Sequence, residues 1–193
     1  GYGYNHDLPN ELHKTFEKVW IFQGHPAGDG EVITDMGAWA HLQAGHGVGF
    51  GFVNGENQLS ERFGVELSMA AYLREKYPND KIALIKYSRG GTSIDSLAAA
   101  HFGCWEPDYQ GKKGINQYDH FLATLAQAYQ TKDIDGNGQE DVLVPQGIVW
   151  MQGESDASYT EEIALKYHDH LKRLMDLMRA ALLRDDLPVV IGK

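Results

Sequence analysis

The stretch that most constrains the fold runs from Gly147 to Asp156, with the sequence GIVWMQGESD. Its first half, Ile148 to Met151, is a short apolar run rich in β-branched and aromatic residues, which predicts a strand buried on both faces of a parallel sheet. Its second half is polar and acidic, and a helical pattern follows. Because ligands bind at the carboxyl ends of strands in open α/β sheets, the residues after Met151 are predicted to form one wall of an active site.

Strand-like and helix-like segments alternate along the rest of the chain. The predicted strands are 19–22, 81–87, 148–151 and 189–192. The predicted helices are 60–77 with Ser60 as N-cap, 117–130, and a long helix that begins at a capping box of Ser158 and Glu161. Residues 23–58 are rich in glycine and are predicted to be mostly loop. This order predicts an α/β fold with a mostly parallel sheet and helices on both faces, built as a single domain over 1–193 without a linker.

Composition excludes several functional classes. The 193 residues carry a net charge of −10, so no nucleic-acid partner is expected, because phosphate binding needs a basic face. The apolar runs are too short to cross a bilayer, so no membrane partner is expected either. The single cysteine, Cys104, cannot form an internal disulfide. No signal peptide is visible in the opening GYGYNHD.

Two polar segments follow predicted strands and are expected at the same rim of the sheet. One runs from Ser88 to Ser93, with the sequence SRGGTS, and the other is Gln152-Gly153-Glu154. Paired glycines allow backbone N–H groups to approach a ligand closely, and a glutamine adds an amide donor; these are the parts of an oxyanion hole. The alternative is two ordinary strand-to-helix turns that contain glycine.

An acidic segment before the central strand resembles a calcium-binding loop. Residues 133–141 have the sequence DIDGNGQED, which places oxygen ligands at positions 1, 3 and 5, glycine at 6, a backbone carbonyl at 7 and aspartate at 9. The candidate metal ligands are Asp133, Asp135, Asn137, Gln139 and Asp141. Position 12 is Val144 rather than glutamate, so the loop is not an EF-hand. A structural Ca²⁺ site and a solvated acidic turn are both compatible with this sequence.

Three blocks of the chain carry a family resemblance. FGVELS at 63–68, IALIKYSRGGTSI at 82–94 and VWMQGESDA at 149–157 resemble blocks of the SASA family. These are the sialate O-acetylesterase-like and acetyl xylan esterase-like carbohydrate esterases, a branch of the SGNH hydrolases. The opening segment and the closing LPVVIGK are also similar to the family, so the resemblance covers essentially the whole chain.

The resemblance implies a three-layer sandwich of flavodoxin-like type and deacetylation of sugars by a serine nucleophile, without a catalytic cofactor. The implied catalytic set is Gly90, Gly91, Gln152 and Glu154, and the implied substrate-binding set is Arg89, Thr92, Ser93 and Asp156. The family's nucleophile lies in a Gly-Gln-Ser-Asn block and its histidine in an Asp-x-x-His block, and neither block occurs in this sequence. We therefore expect a domain incomplete at both ends, inactive as given, from a secreted or periplasmic protein that acts on acetylated carbohydrate.

Other interpretations of the same residues are weaker. A replacement triad would need Ser88, Ser93 or Ser155 near a histidine such as His101, and each serine is expected to be a turn or cap residue instead. The nine histidines show no zinc-ligand spacing. The alternative function is a non-catalytic, carbohydrate-binding or calcium-stabilised relic of the same fold. A nucleotide binder is disfavoured because no glycine-rich phosphate loop is present.

Overall fold

The computed structural model describes residues 3–24, 37–111 and 115–192. Contacts within the chain define two compact units. Of the described residues, unit 1 contains 3–24, 37–87 and 124–143, and unit 2 contains 88–111, 115–123 and 144–192. Helix α2, Gln117–Ala128, contributes residues to both units. The prediction of a single domain stays a prediction.

Unit 1 is organised around strand β2, Phe16–Gln23, the most deeply buried strand of the described chain. It pairs in parallel with β7, Ile82–Lys86, and antiparallel with β3, Ala40–Leu42. The apolar side chains of β2 pack with the first turns of α1, Glu66–Lys76, because Leu67 and Ala70 are fully buried in the same cluster. Burial of apolar surface of this kind stabilises a domain by about 25 cal/mol per Å².

The glycine-rich tract predicted to be loop contains further short strands. β4, Gly51–Val53, and β5, Glu56–Gln58, form an antiparallel hairpin. Its two-residue loop is Asn54-Gly55, both with positive φ (53° and 85°), which is the turn that the right-handed twist of a hairpin prefers. Unit 1 also pairs β1, Gly3–Tyr4, antiparallel with β6, Arg62–Phe63. Two 3₁₀ turns, Asn5–Asp7 and Asn10–Leu12, connect β1 to β2.

Unit 2 consists mainly of helices beside a two-stranded parallel sheet. Its elements in chain order are a 3₁₀ turn at Ser96–Ala98, β8 (Ile148–Trp150), α3 (Glu154–Tyr159), α4 (Glu161–Ala181) and β9 (Val189–Ile191). Helix α4 buries one apolar stripe, which includes Ile163, Leu171 and Leu174, as the three-to-four-residue spacing predicts. Within the described ranges, no helix is both long and apolar enough to cross a membrane.

The chain contains both helices and strands, as the α/β class requires, whereas a mostly parallel sheet is not confirmed. Among the described residues, three strand pairs are antiparallel and two are parallel. The antiparallel pairs are β1 with β6, β2 with β3, and β4 with β5. The three-layer arrangement stays a prediction.

Local predictions were wrong at several positions. β8 was predicted to be buried on both faces, yet Val149 is 39% exposed while Trp150 is 5% exposed, so only one face of the strand is well covered. Helix α1 begins at Glu66, and Ser60 instead bonds the carbonyl oxygen of Gly45. Ser158 lies inside α3, while Thr160 caps α4 by accepting a hydrogen bond from the N–H of Ile163.

Candidate functional site

The first wall of the candidate site is the turn that contains Gly90 and Gly91 in unit 2. Both glycines are exposed, and a Cβ placed on Gly90 would meet no atom within 4 Å. Gly91 has a φ of +74°, and a Cβ there would lie 2.7 Å from Cδ2 of Phe102. A side chain at position 91 is therefore disfavoured both by the backbone and by the ring. The turn leaves open space beside its backbone, where a ligand atom can approach.

The second wall is the turn between β8 and α3. Gly153 precedes α3 with a φ of +149°, a backbone conformation that favours glycine, and Glu154 is the exposed first residue of the helix. The phenol of Tyr167 on α4 donates a hydrogen bond of 2.5 Å to the backbone carbonyl of Gln152. The same hydroxyl accepts a bond of 3.1 Å from the indole N–H of Trp150. Helix α4 of the same unit therefore holds this turn in place.

Hydrogen bonds join the two walls directly. The side-chain nitrogen of Gln152 donates to the carbonyl oxygen of Thr92 at 2.9 Å and to Oδ2 of Asp156 at 2.7 Å. The Asp156 carboxylate, only 1% exposed, also accepts bonds from the backbone N–H groups of Ile94 (3.0 Å) and Asp95 (2.8 Å). A buried carboxylate is stable when it is fully hydrogen-bonded, as this one is.

These bonds settle the orientation of the Gln152 amide. Its nitrogen faces two acceptors, a backbone carbonyl and a carboxylate, and its oxygen lies 3.2 Å from the Tyr167 hydroxyl. A primary amide has two N–H groups, so both are engaged within the protein. In this structure Gln152 holds the two turns together, and the Gly90–Gly91 turn and Glu154 face solvent.

Several predicted substrate contacts are turned into the protein. Thr92 is 3% exposed, and its hydroxyl donates to the Arg89 carbonyl while it accepts from the indole N–H of Trp105. Ser93 is fully buried and donates to the backbone carbonyl of Asp95 at 2.7 Å. Arg89 is partly exposed, and its guanidinium carbon lies 5.3 Å from the centre of the Phe102 ring. Substrate binding by these residues stays a prediction.

The sequence reasoning missed three residues of this network. Tyr167 lies in the predicted long helix and Trp150 in a predicted strand, and neither was assigned to the site. Trp105 was not assigned to it either, but its ring packs edge-on against Trp150 with centroids 5.0 Å apart. Tyrosine and tryptophan usually place their polar atom on a partner when they are buried, and this was the available signal.

The acidic loop brings three of its predicted ligands together in unit 1. Carboxylate oxygens of Asp133, Asp135 and Asp141 lie within 4.8 Å of one another. The side chains of Asn137 and Gln139 are exposed, and the Asn137 side chain accepts from the N–H of Gln139 at 2.8 Å. The ammonium of Lys81 pairs with Asp135 and lies 3.4 Å from Asp141. Three converging carboxylates suit a hard cation such as Ca²⁺, and the lysine supplies positive charge at the same place.

Unit 1 also contains a buried histidine. His46 is 1% exposed, and its Nδ1 lies 2.9 Å from the side-chain oxygen of Gln23. Within the described part of the chain no group bonds its Nε2. Burial and the charge of Lys86 lower the pKa of His46 to about 4, although the Glu66 carboxylate opposes this shift. The imidazole is therefore neutral near pH 7, and it donates from Nδ1 to the glutamine.

Comparison with known proteins identifies one family. No curated protein and no solved structure matches the chain significantly. The family model described as carbohydrate esterase, sialic acid-specific acetylesterase, matches residues 40–193 and so includes both walls of the candidate site. The family's enzymes are hydrolases, and its fold is of the SGNH-like α/β kind. By this match over most of its length, the chain belongs to the SASA family of carbohydrate esterases.

Proposed function

We propose that this protein is a carbohydrate O-acetylesterase, of the sialate or acetyl xylan esterase kind, that hydrolyses acetyl esters on sugars with a serine nucleophile. The observation that supports it most is the pair of bonds from Gln152 to Thr92 and Asp156. These bonds hold the two turns together, while Gly90 and Gly91 are exposed and open space lies beside Gly90. A rigid turn with accessible backbone N–H groups is what an oxyanion hole requires.

The proposed chemistry proceeds in two steps. A serine hydroxyl attacks the acetyl carbonyl while a histidine takes its proton, and the tetrahedral oxyanion is stabilised by the backbone N–H groups of Gly90 and Gly91. The sugar hydroxyl leaves with the proton that the histidine returns, and water then releases acetate from the acyl-serine. The Gly-Gln-Ser-Asn and Asp-x-x-His blocks of the family supply the serine and the histidine. Gln152 and Asp156 act as positioning residues.

Hydrolysis of an aryl acetate tests this division of roles. The 193-residue polypeptide is expected to release acetate no faster than buffer, since it lacks both blocks, while the full-length protein that the gene encodes is expected to turn over. Clear turnover by the 193-residue chain would contradict the assignment of the nucleophile to the Gly-Gln-Ser-Asn block. A secreted or periplasmic location, where acetylated glycans are met, belongs to the same proposal.

A non-catalytic role in carbohydrate binding is the alternative, favoured by the absence of those two blocks from residues 1–193. The reading frame of the gene discriminates the two. A frame that supplies both blocks supports the esterase, and a natural protein without them supports a binding protein that retains the fold.

We also propose that residues 133–141 hold a structural Ca²⁺ that fixes the connection between α2 and β8. The support is the convergence of the Asp133, Asp135 and Asp141 carboxylates. Calcium at millimolar concentration should raise the melting temperature of the wild-type protein, and Asp133→Asn should abolish the rise while Asp108→Asn, in another exposed acidic loop, should not. An equal response to Ca²⁺ in the Asp133→Asn variant would reject the site.

A further inference from the structure

Phe102 is an exposed aromatic residue that contacts the Gly90–Gly91 turn, the candidate oxyanion turn. Its side chain is 42% exposed. The ring nevertheless packs against Gly91, since a Cβ at that glycine would lie 2.7 Å from Cδ2 and 3.3 Å from Cε2. Single exposed apolar side chains are common and need no explanation. Phe102 differs from such residues because it contacts Gly91, whose backbone N–H is proposed to stabilise the oxyanion.

The backbone on both sides of Phe102 is immobilised. It lies in a tight turn closed by a 3.0 Å bond from the N–H of Gly103 to the carbonyl of Ala100. The fully buried Gln117 side chain donates to the Phe102 carbonyl. Gly103 approaches Ile115 so closely that a Cβ would lie 1.8 Å from the Ile115 carbonyl oxygen. The ring is thus presented to solvent by a fixed backbone, so binding a ligand there costs little ordering entropy.

Arg89 places positive charge beside the same ring. Its guanidinium carbon lies 5.3 Å from the ring centroid, a cation–π distance. The ring is thus in contact with both the guanidinium and Gly91. An aromatic ring beside hydrogen-bond donors is the usual composition of a small-ligand subsite, in which apolar surface gives affinity and a few polar groups fix orientation.

From these contacts we infer that Phe102 forms a subsite for the sugar ring of the substrate, whose C–H face packs on the aromatic ring while the acetyl group lies at the Gly90–Gly91 turn. This inference rests on the proposed function of that turn. It makes Phe102 a specificity-determining residue: it contacts the sugar and takes no part in the proton transfers.

Binding of a defined sugar tests the subsite without requiring turnover. The probe is O-acetylated N-acetylneuraminic acid, titrated into the full-length protein and followed by ligand-observed NMR. Phe102→Leu, which keeps apolar bulk but loses the ring, should weaken binding about five- to tenfold, and Phe102→Tyr should bind like the wild type. Tyr72→Ala is the matched control, because Tyr72 is also exposed (59%) and also has a cation, Lys76, 5.5 Å from its ring centre.

Turnover separates this inference from the proposed function. If the enzyme is an esterase, Phe102→Leu should lower kcat/KM for the acetylated sugar about five- to tenfold relative to ethyl acetate, which has no ring to pack. Equal binding of the sugar by wild type and folded Phe102→Leu would overturn the subsite. Absence of turnover in the wild type, together with binding that depends on Phe102, would reject the esterase and leave the subsite standing.

Discussion

Gln152 donates a 2.9 Å hydrogen bond to the backbone carbonyl of Thr92, 60 residues earlier in the chain. The bond joins the turn after β8 to the turn after β7, the two segments that carry the proposed chemistry. Because the second N–H of the same amide goes to Asp156, the side chain has no N–H left for a substrate. The backbone N–H groups are therefore proposed to stabilise the oxyanion. The side chains of Gln152 and Asp156 hold the two turns in place.

Asp156→Asn tests the buried carboxylate. The variant keeps the shape but replaces one acceptor oxygen by an NH₂ group, which would face the N–H of Ile94 or the amide of Gln152. We expect the free energy of unfolding to fall by about 2–3 kcal/mol, since buried donors lose their acceptor. Urea denaturation measures it. Asp169→Asn, whose side chain is 85% exposed, should change stability by less than about 0.5 kcal/mol. Equal effects of the two changes would contradict the role of Asp156.

Tyr167→Phe tests the support under Gln152. The substitution keeps the ring and removes the hydroxyl that bonds the Gln152 carbonyl and accepts from Trp150. We expect a loss of about 1–2 kcal/mol in unfolding free energy and a changed near-ultraviolet circular dichroism signal from Trp150. Tyr159→Phe, at a residue 56% exposed, is the control. A Tyr167→Phe protein with wild-type stability and an unchanged spectrum would show that the hydroxyl does not hold this turn.

The lowered pKa of His46 predicts that the stability of the protein depends on pH. Its pKa is about 4 in the folded chain against 6.5 for an unperturbed histidine, so between these values the unfolded chain binds a proton that the folded chain does not. Stability therefore falls as pH drops from 6.5 to 4, by up to about 3 kcal/mol from this group, and its contribution is complete above pH 6.5. Below pH 4 it causes no further loss.

The measurement for His46 is urea denaturation at pH 7 and pH 4.5 for the wild type and for His46→Gln. The neutral variant should lose less stability than the wild type over this interval, because it lacks the buried imidazole that takes up a proton on unfolding. His168→Gln, at an exposed side chain, should behave like the wild type. An equal pH dependence in wild type and His46→Gln would show that the buried imidazole is not neutral in the folded protein.

The sequence predicted which segments form the candidate site. It predicted less well which hydrogen bonds their side chains make. Polar clusters after two strands indicated that Thr92 and Gln152 belong to one site, and the structure places them in contact. The direction of the Gln152 amide could not be predicted, because it depends on Asp156 and Tyr167, and Tyr167 comes from another helix. Hydrophobic periodicity shows where a side chain packs but not where its polar atom finds a partner.

Strand pairing was the least predictable part of the fold. The β4–β5 hairpin was missed although its Asn54-Gly55 loop is a strong hairpin signal, because the surrounding glycines suggested a loop. Burial of β8 was overestimated, since an apolar run does not reveal whether both faces of the strand are covered. The α4 helix was predicted well because its periodicity extends over many turns, although its cap proved to be Thr160.

The most direct test of the central claim is the rate of acetate release from O-acetylated sialic acid by the full-length protein and its Gly91→Ala variant. Gly91 has a φ of +74° and touches Phe102, so a methyl group there should displace the proposed oxyanion turn. Gly55→Ala introduces the same backbone strain, at a φ of +85°, with no neighbouring atom within 4 Å, and serves as the control. We predict that kcat falls about 100-fold in folded Gly91→Ala and stays near wild type in Gly55→Ala. A folded Gly91→Ala protein that releases acetate at the wild-type rate would contradict it.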